Sequence, residues 1–261
     1  MNILEKIAGH TKIRVKKAKE EIPFEKMKEL AHEKEKGDLS FEKALKKQGL
    51  SFICECKKAS PSKGIIAEYF PYLEIAKDYE EAGADCISVL TEPEWFLGEN
   101  KYAREIAENV KIPVLRKDFT VDPYMIYEAK YLGASAVLLI VSLLSKEEIK
   151  DYLEICMELG LSALVETHDE TEIDIALSAG AGIIGVNNRN LKDFSVDNTL
   201  ASRMRKLIPG DAVFVSESGI NSEEDIKRVR DAGADAVLIG EMLMKAPDRK
   251  ETLKHLKEIT A

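Results

Sequence analysis

Four stretches of this chain repeat one local pattern, and that repeat constrains the fold more than any other feature. EAGADCISVL, YLGASAVLLIV, SAGAGIIGV and DAGADAVLIG each carry a helix-like end, a glycine, one or two small residues and an apolar run. The glycines are Gly83, Gly133, Gly180 and Gly233, about 50 residues apart. A glycine at that point can take the left-handed conformation that closes a helix, so each stretch reads as a helix C-terminus followed by a strand. One βα unit takes only about 25–30 residues, so every interval has room for a second unit. IPVLRKDF, LGLSALVETH and AVFVSESGI supply it, and SFICECKK precedes them all.

Eight β runs result, at about 51–57, 85–90, 112–117, 135–141, 162–167, 182–187, 212–217 and 235–240. They are short, continuous and rich in Val, Ile and Leu, as parallel strands buried on both faces require. The segments between them, such as LEIAKDYEEA and SEEDIKRVRDA, carry helical spacing. The predicted fold class is α/β, a (βα)8 TIM barrel, with an open doubly wound sheet as the alternative. Eight evenly spaced units with a two-unit periodicity favour closure. The 261 residues are expected to form one domain, because barrels of this type often run to about 250. Residues 1–48 read as an N-terminal extension of two or three amphipathic helices that cap the barrel. Ile3, Leu4, Ile7 and Ile13 fall near one face, and Met27, Leu30 and Ala31 near another. The basic run Lys12, Arg14, Lys16, Lys17 and Lys19 is expected to be a solvated helix face.

Composition narrows the function. The chain is 45% apolar and 33% charged, with a net charge of −9, which makes it a poor ligand for nucleic acid or an anionic membrane. If it binds an anion, positive charge must be gathered locally. No apolar stretch is long enough to span a membrane, and the charged N-terminus lacks a signal-peptide core. A cytoplasmic location is expected. Cys54, Cys56, Cys86 and Cys156 form no Cys-x-x-Cys pair and the four histidines are scattered, which disfavours zinc. Reduced, buried thiols are expected, with Cys54 and Cys56 on one strand face turned toward helix packing. Nothing reads as an exposed apolar seam, so a monomer is the default.

Barrel chemistry sits where strands end and loops begin. The first run ends in Glu55 and Lys57, which share strand parity and can both face the barrel axis, followed by Lys58 and Ser60-Pro61-Ser62-Lys63-Gly64. The other rims carry Arg116, Lys117 and Asp118, then Glu166 and His168, then Asn187, Asn188 and Arg189, then Glu217, Ser218 and Gly219, then Gly240 and Glu241. Mutually satisfied ion pairs closing the barrel top would explain any one of these residues. They explain the set less well, since three carboxylates and several cations converge on one rim. Ser-Gly-Ile after the seventh run and Ile-Gly-Glu after the eighth match the place where backbone amides form a phosphate cradle in barrels. Glu241 is an awkward neighbour for phosphate, so its side chain should point away and leave its N–H to contribute. His168, just past its strand, is expected to be a loop or supporting residue. Phe96 is expected in the pocket, and Trp95 either walls it or packs the loop.

These residues resemble a known family. ICECKKASPSKG, with its Glu-x-Lys and Ser-Pro, resembles the first-strand signature of indole-3-glycerol-phosphate synthases, and VLRKDF, LVETH, IGVNNRNL, SESGI and IGEMLMK follow in the same order over nearly the whole chain. Two departures are Glu241, where many relatives carry a small residue, and Lys245, where many have Arg. The resemblance implies conversion of 1-(2-carboxyphenylamino)-1-deoxy-D-ribulose 5-phosphate to indole-3-glycerol phosphate, with loss of carbon dioxide and water and no cofactor. It implies Lys117 as general acid for ring closure and Glu166 as the carboxylate that stabilises the cation and shuttles protons. Lys57 would lie near the substrate carboxylate and departing hydroxyl, with the acid roles divided between the two lysines in either way. Glu55 would orient a lysine, and Asn187 and Glu217 would position hydroxyls or lysine partners. Ser218, Gly219, Gly240 and Glu241 would hold phosphate with Ser60 and Arg189, while Phe96, Phe119, Leu138 and Ile140 enclose the anthranilate ring. Another phosphosugar barrel enzyme, an isomerase or Schiff-base aldolase, is the nearest rival, and a non-catalytic binding barrel the more distant one.

Overall fold

A computed structural model describes residues 2–190 and 194–260; Leu191, the last residue of the IGVNNRNL motif, lies outside them. Eight parallel strands close into a barrel: β1 (Ser51–Cys56), β2 (Cys86–Leu90), β3 (Val114–Lys117), β4 (Ala136–Ile140), β5 (Ser162–Thr167), β6 (Ile183–Asn187), β7 (Val213–Glu217) and β8 (Ala236–Ile239). β8 pairs with β1 through Ser51↔Ala236 to Cys54↔Ile239, which closes the ring. The open doubly wound alternative is thereby excluded, and the strands lie within two residues of the eight predicted runs.

Alternation along each strand sorts side chains between two cores. Phe52, Cys54, Val165, Phe214 and Val237 pack outward beneath the helices. Ile53, Cys86, Leu115, Leu138, Leu164, Val215 and Leu238 fill the barrel interior. Interior parity continues upward into Glu55, Lys117, Glu166, Asn187 and Glu217, so the same alternation that fills the barrel with aliphatics ends it in charge. Cys54 and Cys56 face the outer core as expected, and all four cysteines are free and buried.

The extension forms α1 (Ile3–Glu21), α2 (Phe24–His32) and α3 (Ser40–Leu45). It closes the barrel at both ends. α3 plugs the N-terminal end: Phe41 and Leu45 join the interior cluster, the Glu42 amide donates to Ser162 Oγ at 3.1 Å, and Ser51 Oγ donates to the Ala44 carbonyl. α1, started by an Asn2–Glu5 capping box, crosses the C-terminal end with Leu4 and Ile7 buried. α2 packs on the helix Tyr124–Tyr131, with Phe24 edge-on to Tyr127. Among the described residues no helix is long and apolar enough to cross a membrane.

The basic face of α1 is only partly solvated, which corrects the sequence expectation. Lys12, Lys16 and Lys17 are exposed, and so is Ile13, at 58%. Arg14 instead turns onto the barrel, where its guanidinium donates to Asp118 Oδ1 at 2.6 Å and to the Thr91 carbonyl at 3.2 Å; Lys19 pairs with Asp122 at 2.7 Å. A helical charge run shows that a face is polar, not what it meets. The Asp118 carboxylate is buried, and the cations Arg14 and Arg116 hold its pKa below the ordinary range against the effect of burial. Arg14→Ala would remove the nearer of the two cations on that buried carboxylate and should cost about 2 kcal/mol of unfolding free energy, read from the denaturant midpoint.

Candidate active site

Glu55, Lys117, Glu166, Asn187 and Glu217 project into one cavity at the C-terminal rim, whose wall also carries Lys57, Ser60, Phe96, Phe119, Leu138, Ile140, Arg189, Ser218, Gly219, Gly240 and Glu241. Every site residue expected from the sequence therefore meets at a single opening. Ile3, Leu4 and Ile7 of α1 add an apolar wall that the sequence did not assign. Their helical spacing signalled a buried face without saying which end of the barrel it covers.

Lys117 is the hub. Its ammonium lies 3.0 Å from Glu217 Oε2 and 3.5 Å from Glu166 Oε2. Burial alone would lower its pKa, but the carboxylates of Glu217, Glu166 and Glu55 outweigh that and raise it. The lysine is thus held protonated. Lys57 forms a second pair, 2.6 Å from Glu55 Oε1. Burial works against the Glu55 charge, yet Lys57 and Lys117 hold its pKa down.

The other two carboxylates are pushed apart although they share Lys117. Burial opposes the Glu166 charge, but Lys117 and His168 overcome it and lower its pKa. For Glu217 burial prevails over Lys117, the Glu166 charge adds to it, and the pKa is raised. Among the described residues Glu217 Oε1 is buried without a hydrogen-bond partner. It fits only because residue 185 is glycine: a Cβ there would lie 2.2 Å from that oxygen. A carboxyl whose folded pKa exceeds its ordinary 4.5 costs stability as pH rises above that value. Glu217→Gln should therefore stabilise the fold by about 1 kcal/mol near pH 8, and by less near pH 4, while lowering turnover. Thermal melts at the two pH values check this.

The far side of the cavity is built from backbone turns. Ser218 has φ +60° and Gly219 φ +75°, so the chain after β7 makes two consecutive left-handed residues. Ser218 is strained there, as residues at functional turns often are. A Cβ on Gly219 would meet Asn198 Oδ1 at 2.4 Å and Val196 Cγ1 at 2.7 Å. Gly240 opens the short helix Glu241–Lys245, and a Cβ on it would lie 2.7 Å from Glu55 Oε1. A side chain at 240 would crowd Glu55 and Lys57 in the cavity wall, whereas one at 219 would clash with the loop carrying Val196 and Asn198 behind the turn. The Glu241 carboxylate is taken up by Lys245 at 2.7 Å and lies 3.8 Å from Lys63. Arg189 is fastened beside Asn187: its amide donates to Asn187 Oδ1 at 3.0 Å and its guanidinium to the Phe194 carbonyl at 3.4 Å.

The apolar side rests on Phe96 and Phe119, whose ring centroids are 5.9 Å apart, with Leu138 and Ile140 on β4. Phe96 is fixed by Glu92, whose carboxylate accepts from the amides of Glu94, Trp95 and Phe96. Trp95 packs the loop instead of walling the cavity, with its ring edge-on to His10 at 5.4 Å. Arg116 has the opposite parity to Lys117 and points outward, donating to Glu128, Asn100 and the Met125 carbonyl, so it braces β3 from behind. His168 lies beside Glu166 and Glu172 at 3.3 and 3.1 Å.

Among the described residues no group of His, Cys, Asp and Glu has a metal-holding arrangement. The convergent set is one buried ammonium shared by two carboxylates, a second lysine–glutamate pair, an apolar shelf and a turn of exposed backbone. It suits acid–base chemistry on a ligand with an aromatic and an anionic end.

Comparison with known proteins agrees in family and fold. A family model described as indole-3-glycerol phosphate synthase matches residues 4–256. A relative of that name from Ruminiclostridium cellulolyticum is 56% identical over 256 residues, 98% of each chain. Another from Endomicrobium trichonymphae is 53% identical over 98% of this chain and 100% of its own. Among solved structures, thiamine phosphate pyrophosphorylase from Pyrococcus furiosus superposes with a TM-score of 0.63 at 16% identity, covering 80% of this chain and 95% of the other. Phosphoribosylanthranilate isomerase from Thermotoga maritima gives 0.57 at 17% identity, over 79% and 96%. At that identity these structures speak to the barrel fold alone. The sequence relatives span the whole length, and this chain belongs to the indole-3-glycerol phosphate synthase family.

Proposed function

We infer that the chain is a carboxy-lyase of tryptophan biosynthesis that converts 1-(2-carboxyphenylamino)-1-deoxy-D-ribulose 5-phosphate to indole-3-glycerol phosphate. The observation that carries the catalytic assignment is the Lys117 ammonium, kept protonated by three carboxylates at the wall of the cavity. A Schiff-base nucleophile needs a neutral amine, whereas a general acid needs this charged one.

The substrate's phosphate is held by backbone at Ser218–Gly219 and Gly240–Glu241, with Ser60 and Arg189 beside it. The anthranilate ring lies on Phe96, Phe119, Leu138 and Ile140, under Leu4 and Ile7 of α1. The ring carbon bearing the carboxylate attacks the keto carbon, and Lys117 gives a proton to the carbonyl oxygen as it takes up the π electron pair. The new C–C bond leaves an iminium, and the Glu166 carboxylate stabilises that cation. Decarboxylation then passes the C–C bond electrons into the iminium, so the substrate supplies its own electron sink. The hydroxyl leaves as water with a proton from Lys57 or Lys117, and Glu166 accepts the proton that restores aromaticity. Ring closure consumes one proton, and dehydration returns the one it uses. Glu55 orients Lys57, while Asn187 and Glu217 set the positions of Glu166 and Lys117.

The test is indole fluorescence from the purified protein with this substrate and no added cofactor. Product formation is expected, with no stable lysine adduct after borohydride treatment in the presence of a ketose phosphate. A trapped adduct without indole product favours the aldolase reading, and tight binding without turnover a non-catalytic barrel.

A further inference from the structure

His168 and the acidic chamber behind it are not used by the reaction described above. The imidazole stands between two carboxylates from different elements, Glu166 of β5 and Glu172 of the helix Glu170–Ser178. Nδ1 lies 3.1 Å from Glu172 Oε2, and the same oxygen accepts the His168 amide at 2.8 Å. Nε2 lies 3.3 Å from Glu166 Oε1, off the axis of a good hydrogen bond. Glu172 is anchored in turn at the start of that helix, where its amide donates to Asp169 Oδ1 at 2.9 Å.

Both ring nitrogens therefore face an anion. A neutral imidazole carries one proton, so either tautomer would aim a lone pair at a carboxylate, and only the doubly protonated ring is attractive to both. The surroundings favour that form. A second cavity, which His168 also lines, carries the carboxylates of Glu5 of α1, Asp169, Glu172 and Asp197, the last of them paired with Arg203 at 2.9 Å. Lys117 of β3 reaches the other oxygen of Glu166, Oε2, at 3.5 Å. The two oxygens of Glu166 are thus divided between two cations, one on the catalytic side and one behind it.

We propose that His168 is a positioning residue: an imidazolium clamped between Glu166 and Glu172 that keeps the Glu166 carboxylate ionised and turned toward Lys117. Burial alone would lower the histidine's pKa, but the neighbouring carboxylates of Glu166 and Glu172 outweigh it and raise the value to about 10. The proposal rests on the reading of Glu166 as the carboxylate that meets the substrate cation. It assigns what keeps that buried group charged when Lys117 alone is shared with Glu217 and Glu55.

The test compares pH profiles of kcat for wild type, His168→Gln and Glu166→Gln. Gln at 168 keeps a donor toward Glu166 and removes the charge. A required carboxylate loses activity as pH falls through its pKa, so losing the neighbouring cation should move that loss to higher pH. The acid limb of His168→Gln is expected to shift upward by about one pH unit or more, with the loss of kcat confined to that limb. KM should stay within about twofold, since the change lies behind Glu166. An unshifted limb overturns the proposal, whether kcat is unchanged or is reduced equally at every pH, as a packing defect would do. Glu166→Gln with wild-type kcat would instead overturn the role of Glu166 itself. Nitrogen-15 NMR of the folded wild-type protein gives an independent readout, with His168 assigned by its absence from the variant. Its ring should titrate well above 6.5, and lower in Glu172→Gln. Wild-type titration near 6.5 overturns the clamp.

Discussion

Lys117→Ala should bind substrate nearly as well as the wild type and turn it over about 10³-fold more slowly. Positioned general acids contribute about 10²–10⁴-fold, and this one also carries the charge on which the rim converges. In the proposed binding mode the phosphate and ring contacts come from the β7 and β8 turns and from the Phe119–Leu138 shelf, all of which line the cavity, and not from this side chain. Substrate affinity should therefore change by about threefold or less, with the loss confined to kcat. Lys117→Arg should fail to rescue, because a guanidinium gives up its proton far less readily and its planar fork does not fit the space beside Glu217 Oε2 and Glu166 Oε2, 3.0 and 3.5 Å from Nζ. Steady-state and single-turnover fluorescence separate the two parameters. Near-wild-type kcat in the alanine variant would remove Lys117 from the mechanism.

Glu166→Gln should lower kcat by about 10²–10³-fold with a small change in KM. The amide is nearly isosteric, so the contacts with Asn187 and His168 persist while the negative charge and the proton acceptor are lost. The double variant with Lys117→Ala should be far from additive, because the two groups lie 3.5 Å apart and act on one reacting centre. Multiplicative losses in that double variant would mean that the two side chains work in separate steps without sharing the intermediate.

The barrel was legible because its cause is local. Gly83, Gly133, Gly180 and Gly233 all have positive φ, as the helix-end pattern required. The short Val/Ile/Leu runs become strands within two residues of their predicted limits. The charged rim was legible for the same reason, since parity carries Ile53 to Glu55, Leu164 to Glu166 and Val215 to Glu217 without any tertiary information. Parity also distinguishes Lys117 from Arg116, which points into the helix layer. What the pattern does not contain is the partner of an exposed-looking face. Arg14 reads as one cation in a basic run, and only the fold brings Asp118 to it across more than 100 residues of chain. Leu4 and Ile7 carry an apolar stripe that fits either end of a barrel. His168 and Glu172 are four residues apart and visibly paired, yet the contact with Glu166 that gives the pair meaning depends on the turn after β5.

The most direct test of this account is a crystal structure with an unreactive substrate analogue whose keto oxygen is reduced to a hydroxyl. That oxygen should lie about 3 Å from Lys117 Nζ, with the phosphate on the backbone of Gly219 and Gly240 and the aromatic ring against Phe119 and Leu138. A ligand bound the other way round, with its ring at the glycine turns and its hydroxyl beyond the reach of both lysines, would contradict it.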